Sequence, residues 1–254
     1  MGKDKLRKFA ENLTFECFVQ PAFEEMFRTD HPLKGNWRKD FFKNDNPIVL
    51  ELGCGKGEYT VALAERNPDK NFSGVGIKGA RMWTGATDAL ESGLSNVGFL
   101  RTNIEIIDRL FAAGEVSEIW LTFPDPQMKK VRKRLTSTRF LELYRNILVA
   151  DGIMHLKTDS PFLYTYTDAL VNLNALPTEV NTADLYNSDI VDDILEIKTF
   201  YEQQWLSRGK TIKFISFNPL RDTALQEPEE DDIERDDYHS YPRGIVQGMN
   251  PATD

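Results

Sequence analysis

The sequence predicts an α/β fold built on a doubly wound, mostly parallel sheet. Three observations carry that expectation. Apolar runs of strand length alternate at least five times with segments of helical periodicity, the links between them are short, and a glycine cluster stands where one of the first runs gives way to a helix. A chain of 254 residues, 41% apolar and 28% charged, is long enough to bury roughly 70–75% of its unfolded surface without disulfides or metals.

Residues 1–45 read as an N-terminal arm with a helix over Thr14–Arg28. Phe15, Phe18, Val19, Ala22, Phe23 and Met26 would form its apolar face at three- and four-residue spacing. Asp45-Asn46-Pro47 is a turn, and Ile48–Leu52, an apolar run between that turn and a glycine, reads as a buried strand. A helix over Glu58–Asn67 is stopped by Pro68. Strands follow at Phe72–Ile77, Val97–Thr102, Glu118–Phe123 and Ile153–Lys157, with helices at Ala80–Ser92, Ile104–Ala113 and Thr138–Val149 between them. Pro161–Asn174 is a further helix, its proline placed where a missing N–H costs nothing. Thr211–Phe217 reads as the last strand, closing a main domain over 46–221. Residues 222–254 are rich in acids and poor in large apolar residues, and read as a flexible tail.

Several functional classes fall away on composition. No run approaches the ~18–20 apolar residues of a membrane helix, so no membrane partner is expected. The basic N-terminus is followed by no apolar stretch of the secretory kind. Two cysteines, Cys17 and Cys54, make no disulfide framework, and a reducing cytoplasm is the expected setting. His31, His155 and His239 lie far apart, so no metal is expected. The net charge of −9 argues against nucleic acid until its distribution is seen. Residues 226–254 hold nine acids and two bases, leaving only −2 for the rest, and Lys129–Arg139 holds six bases and no acid. Lys3, Lys5, Arg7 and Lys8 offer a possible second basic arm.

Glu51-Leu52-Gly53-Cys54-Gly55-Lys56-Gly57 lies between strand and helix, where a doubly wound sheet binds its nucleotide. Position 58 is Glu, so the dinucleotide pattern G-x-G-x-x-G is not met. The spacing E-x-G-x-G-x-G instead resembles the first motif of S-adenosylmethionine-dependent methyltransferases. That resemblance puts Glu51, Gly53 and Gly55 at the cofactor; a glycine-rich turn without ligand and a nicotinamide site are the other readings. The acid expected at the end of the next strand, for the ribose hydroxyls, is absent and Gly76 stands there. Asn103, after the third strand, is placed to meet the adenine edge. Cys54, His155, Trp83, Trp120 and Trp205 read as packing residues.

Phe123-Pro124-Asp125-Pro126 follows the fourth strand, with prolines restricting the backbone on both sides of Asp125. Trp120 through Pro126, with Lys129-Lys130 and Lys133-Arg134-Leu135, resembles the signature of the bacterial tRNA (guanine-N7-)-methyltransferases. Lys34-Gly35-Asn36-Trp37, Lys157-Thr158-Asp159, Thr199-Phe200-Tyr201-Glu202 and Trp205…Gly209 agree in order, so the resemblance covers roughly 33–217. Gln127 and Val131 depart from the family's usual Trp and His, and Gly76 from its ribose acid.

The resemblance implies a Rossmann-like methyltransferase sheet with a last antiparallel strand. It implies methyl transfer from S-adenosylmethionine to N7 of a tRNA guanine, in the variable loop. Asp125 would be the catalytic residue with a cofactor contact as well, offsetting the positive charge the purine gains. Lys129, Asp159, Thr199, Phe200, Tyr201 and Glu202 would bind substrate, and the remaining bases of the run would hold phosphates. The alternatives are a tRNA-binding protein with weak or lost activity, which Gly76 favours, and a methyltransferase of another RNA. Monomer and homodimer both remain open.

Overall fold

The computed structural model describes residues 3–26, 28–219, 222 and 224–236. Eight strands form one sheet: β1 (Phe18–Val19), β2 (Ile48–Leu52), β3 (Asn71–Gly76), β4 (Val97–Arg101), β5 (Val116–Thr122), β6 (Leu148–Thr158), β7 (Thr178–Thr182) and β8 (Lys213–Phe217). Their spatial order is β1-β4-β3-β2-β5-β6-β8-β7. Pairing is parallel from β1 through β6, and β8 runs antiparallel to both β6 and β7.

All five residues of β2 are buried, which a central strand covered on both faces requires. Ile48, Leu50 and Leu52 join one hydrophobic cluster with Ile119, Leu121, Phe140 and Tyr166. Val49 belongs to a second cluster with Tyr59, Phe99 and Trp120. The strand's two-residue period thus feeds both layers. Helices α3 (Glu58–Arg66), α4 (Gly79–Glu91), α5 (Thr138–Ile147) and α6 (Pro161–Leu173) cover the sheet, and α7 (Phe200–Ser207) precedes β8. Strand order reverses between β2 and β5, adjacent parallel strands whose connections leave to opposite sides. Their C-terminal ends therefore open a crevice.

The predicted helix over Thr14–Arg28 is not formed. Helix α1 (Lys3–Asn12) lies upstream, Phe18–Val19 adds to the sheet edge against Phe99–Leu100, and only the short α2 (Phe23–Met26) is helical. Pro21 explains the break: it lacks an N–H and its ring blocks the preceding turn. In the expected second basic arm, Lys5 and Arg7 are exposed, Arg7 pairing with Asp4 and Glu11, and Lys8 lies 4.4 Å from the Trp83 ring. The segment Ile104–Ala113 reaches only a 3-10 turn over Ile104–Arg109, with Ile106 outside helical geometry. Trp37, in the Lys34–Trp37 motif, is fully buried and donates to the Leu110 carbonyl at 2.7 Å.

Where it is described, the tail is bonded to the main domain. Glu227 accepts from the Thr138 N–H at 3.2 Å and from the Tyr166 hydroxyl, Gln226 pairs with Asn174, and Asp236 accepts from the Phe162 N–H at 2.8 Å. Unsatisfied N–H groups at the starts of α5 and α6 give these carboxylates partners that composition alone does not show. Residues 237–254 lie outside the described residues.

Close packing near the glycine loop supplies a test. A Cβ on Gly85, inside α4, would fall 2.6 Å from the Lys56 carbonyl and 2.9 Å from Gly57 Cα. Helix propensity favours Ala over Gly by ~1 kcal/mol, but overpacking against backbone costs about 1–3 kcal/mol. Gly85→Ala should therefore lower stability by roughly 1 kcal/mol, read as an earlier urea midpoint by circular dichroism; a later midpoint would show that α4 moves off the loop freely.

Candidate active site

The crevice begins at the glycine loop. Gly53, Gly55 and Gly57 have φ of +85°, +60° and +82°, left-handed values that glycine adopts without strain. The N–H groups of Gly53 and Cys54 donate to the Val75 carbonyl at 2.8 and 3.1 Å, folding the loop back on the end of β3. A Cβ on Gly53 would meet nothing within 4 Å. The outer face of the loop is open, so a ligand can press on bare backbone.

Beneath the loop, Glu51 is 3% exposed. The hydroxyl of Thr60, on α3, donates to one of its oxygens and that of Thr122, at the end of β5, to the other. Burial pushes its carboxyl up to about 7, against the pull of the two hydroxyls. The crevice has a volume of about 350 Å³. Its walls come from the loop, from Thr122 and Phe123, from Arg81 on α4, and from Thr199, Tyr201 and Trp205 at α7.

The two other predicted cofactor positions lie apart, Gly76 beside Cys54 and Asn103 in a separate cleft. A Cβ on Gly76 would meet Met82 Sδ at 3.5 Å and Cys54 Sγ at 3.7 Å, ordinary contact, so a side chain has room there. Asn103 lines a second cleft of about 530 Å³, with Ile77, Arg101 and Phe9. Its side-chain oxygen accepts from the Glu105 N–H at 3.2 Å, capping the 3-10 turn.

Asp125 stands two residues beyond Phe123, exposed and outside the crevice lining. Its Oδ1 accepts from the Gln127 N–H at 3.0 Å. Phe123 (φ +49°) and Gln127 (φ +47°) bracket it in left-handed geometry, a strain of about 1–3 kcal/mol each that surrounding structure must hold. Lys129 is exposed, as are Lys130, Arg132 and Lys133. Arg134 is not: it is fully buried. Arg139 pairs with Glu105 at 3.0 Å. The basic run is thus an exposed stretch on a buried root.

The substrate residues expected after β6 divide. Thr199 caps α7, its hydroxyl accepting from the Glu202 N–H at 3.2 Å, and the Phe200 N–H donates to Glu58 at 3.0 Å. Phe200 and Tyr201 are exposed, 52% and 46%. Glu202 is completely buried, 2.9 Å from Lys157 Nζ, and accepts from the Tyr186 hydroxyl. Lys157 also donates to the Leu195 and Ile197 carbonyls at 3.0 and 2.8 Å, so this pair anchors α7. Burial draws the Lys157 ammonium down while Glu202 opposes the shift. Asp159 is likewise interior, 2% exposed and 3.3 Å from Lys210; burial raises its carboxyl and Lys210 opposes this. The cap of α6 is Ser160.

Sequence reasoning missed Arg81 and Trp205 as crevice residues. The i, i+4 spacing of Tyr201 and Trp205 was the available signal, since it puts both on one helical face. Among the described residues no group of three His, Cys, Asp or Glu could hold a metal ion, and no helix is long and apolar enough to cross a membrane.

The raised carboxyl of Glu51 makes a pH prediction. Its folded value, about 7, lies above the ordinary 4.5, so the folded state favours the protonated form. That stability is present below about pH 4.5 and is lost as pH rises through 7, a total of about 3 kcal/mol. Glu51→Gln, neutral at every pH, should flatten this slope in urea midpoints taken at about pH 5 and about pH 8; an undiminished slope would mean that Glu51 is ionised in the folded protein.

Residues 45–215 match the family model described as "Putative methyltransferase". A tRNA (guanine-N(7)-)-methyltransferase of Bacteroides fragilis (strain YCH46) is 59% identical over 252 residues, 99% of this chain and 100% of that protein. One from Porphyromonas gingivalis (strain ATCC BAA-308 / W83) is 63% identical over 214 residues, 84% of this chain and 87% of that one. Among solved structures, a 30S ribosomal A1408 methyltransferase from an uncultured bacterium matches with a TM-score of 0.52 at 13% identity, covering 75% of this chain and 96% of that one. A 16S rRNA (adenine(1408)-N(1))-methyltransferase from Catenulisporales acidiphilia, solved with cosubstrate SAM, matches at 0.50 and 15%, covering 70% and 88%. At such identities the likeness is one of fold, and the fold is that of the S-adenosylmethionine-dependent methyltransferases. With the sequence relatives spanning nearly its whole length, the chain belongs to the tRNA (guanine-N(7)-)-methyltransferase family.

Proposed function

We propose that this protein transfers a methyl group from S-adenosylmethionine to N7 of a guanine in tRNA, in the variable loop as the family resemblance implies, in a cytoplasmic setting. The observation that carries the reading is one juxtaposition. The open glycine crevice at the end of β2 and the strained loop bearing Asp125 at the end of β5 stand on neighbouring strands, tied through Glu51, Thr60 and Thr122.

The residues fit the cofactor. Gly53 and Gly55 leave backbone bare for it, Glu51 closes the floor, and Asn103 lines a cleft at the next strand ends. When bound, the cofactor supplies an electrophilic methyl group on sulfur. Guanine N7 presents its lone pair on the major-groove edge and needs no base to remove a proton. Catalysis then rests on placing two groups in line, which can contribute effective molarities on the order of 10⁵ M. Asp125, on its braced loop, offsets the positive charge that the purine acquires. Phe200 and Tyr201, both exposed beside the crevice, offer faces for a base to stack on. Lys129 and its exposed neighbours meet the phosphates.

Incubation of the protein with unmodified tRNA and labelled methyl donor, followed by base mapping, tests the reading. Label at guanine N7 is expected. Asp125→Asn should cut kcat by roughly 10²-fold or more, the scale on which removing one charge-stabilising group acts, with little change in cofactor binding. RNA binding without label would support the tRNA-binding alternative. A second measurement addresses Gly76: Gly76→Asp should tighten the cofactor about tenfold, as a charge-assisted hydrogen bond worth ~1.5–3 kcal/mol would, and calorimetric titration showing no gain would refute the ribose role of that position.

A further inference from the structure

Arg134 is the one base of the Lys129–Arg139 run with no exposed surface. Its Nε donates to the Pro126 carbonyl at 3.0 Å and its Nη2 to the Gln127 carbonyl at 3.3 Å. It is therefore bonded directly to the two residues after Asp125. The guanidinium lies against the Tyr166 and Phe162 rings, 3.9 and 4.8 Å from their centroids. A charge so enclosed needs a counter-charge. Glu230 supplies it from the acidic tail, accepting from Nη1 at 2.5 Å and from Nη2 at 3.3 Å. The pair spans 96 positions of sequence. Leu225 and Ile233, on either side, pack against the main core.

We infer that Glu230 is a positioning residue for the methyl-transfer site: it holds Arg134 in the geometry that clamps the left-handed turn carrying Asp125. Residues bracketing Asp125 at φ +49° and +47° keep that conformation only where their surroundings over-determine it. The clamp meets this need at two carbonyls, and the tail carboxylate completes the clamp. The first part of the tail is thus a component of the active site and no mere appendage. Glu227, on Thr138 and Tyr166, and Asp236, on Ser160 and Phe162, hold the tail independently of Glu230. Loss of the Glu230 charge therefore leaves the tail docked and perturbs the loop alone. This role rests on the reading of Asp125 as the group that offsets purine charge.

The test uses the full chain with Glu230→Gln, and with Glu229→Gln as a control that removes one tail charge at an exposed neighbour. Glu230→Gln should lower kcat about tenfold, the scale of a remote misplacement, with KM for tRNA and for the donor within about twofold. Hydrogen exchange at residues 125–130 should quicken about tenfold while β2 and β5 keep wild-type protection. Glu229→Gln should match wild type in both readouts. The inference is overturned if Glu230→Gln changes neither kcat nor exchange, or if protection falls equally in β2 and β5. A gain in tRNA affinity or rate in both variants would also overturn it, showing a tail that shields the RNA face. Should wild type itself transfer no methyl group, the functional reading fails. Exchange at 125–130 then decides the clamp by itself, and unaltered exchange in Glu230→Gln rejects it.

Discussion

A carboxylate taken out of water at the turning point of the sheet organises the functional edge of this protein. Glu51 is the one polar residue of a strand that is otherwise apolar, and it reaches α3 through Thr60 and β5 through Thr122. The glycine loop and the Asp125 loop leave from these same elements. Two hydrogen bonds to one side chain therefore reinforce the β2–β5 ladder that places them, in a region where an unmet bond costs its full desolvation. A buried acid with two hydroxyl donors is tolerable where an isolated one is not. The cost appears as the raised pKa and the benefit as a rigid crevice.

Charge is partitioned in the same economical manner. The overall excess of acid is at odds with an RNA substrate only when charges are counted without position. Glu227, Glu230 and Asp236 are spent on hydroxyls, helix-start N–H groups and a buried guanidinium, while Lys129, Lys130, Arg132 and Lys133 face solvent. The acids of the tail in this stretch do not cancel the exposed bases; they support the loop from which those bases project.

Much of this was legible in the sequence. The strands β2 to β5, the second half of β6 and the helices α3 to α6 follow from periodicity and turn residues, because these strand segments are short and mostly apolar and the helices keep a helical spacing. The glycine loop was legible for the same reason: its chemistry is local. What could not be read depends on partners far along the chain. Glu202 and Asp159 enter the sequence reading only as substrate-binding acids implied by the resemblance, and nothing local shows their burial beside Lys157 and Lys210. Arg134 looks like its five basic neighbours until Glu230 closes over it. The N-terminal helix was misplaced because the apolar spacing over Thr14–Arg28 outweighed Pro21, whereas the residues there serve a two-residue edge strand and a loop.

The buried ammonium of Lys157 has a further consequence for the order in which the molecule comes apart. Residues 188–199 carry no strand or helix, and two of their carbonyls are satisfied by that one side chain. Such a segment has little ladder of its own to lose, so it and α7 form a cooperative unit whose opening free energy lies below that of the sheet. Thermal fluctuation would then bare the crevice by releasing this unit as a whole, leaving the glycine loop in place, and exchange of large ligands need not await global unfolding.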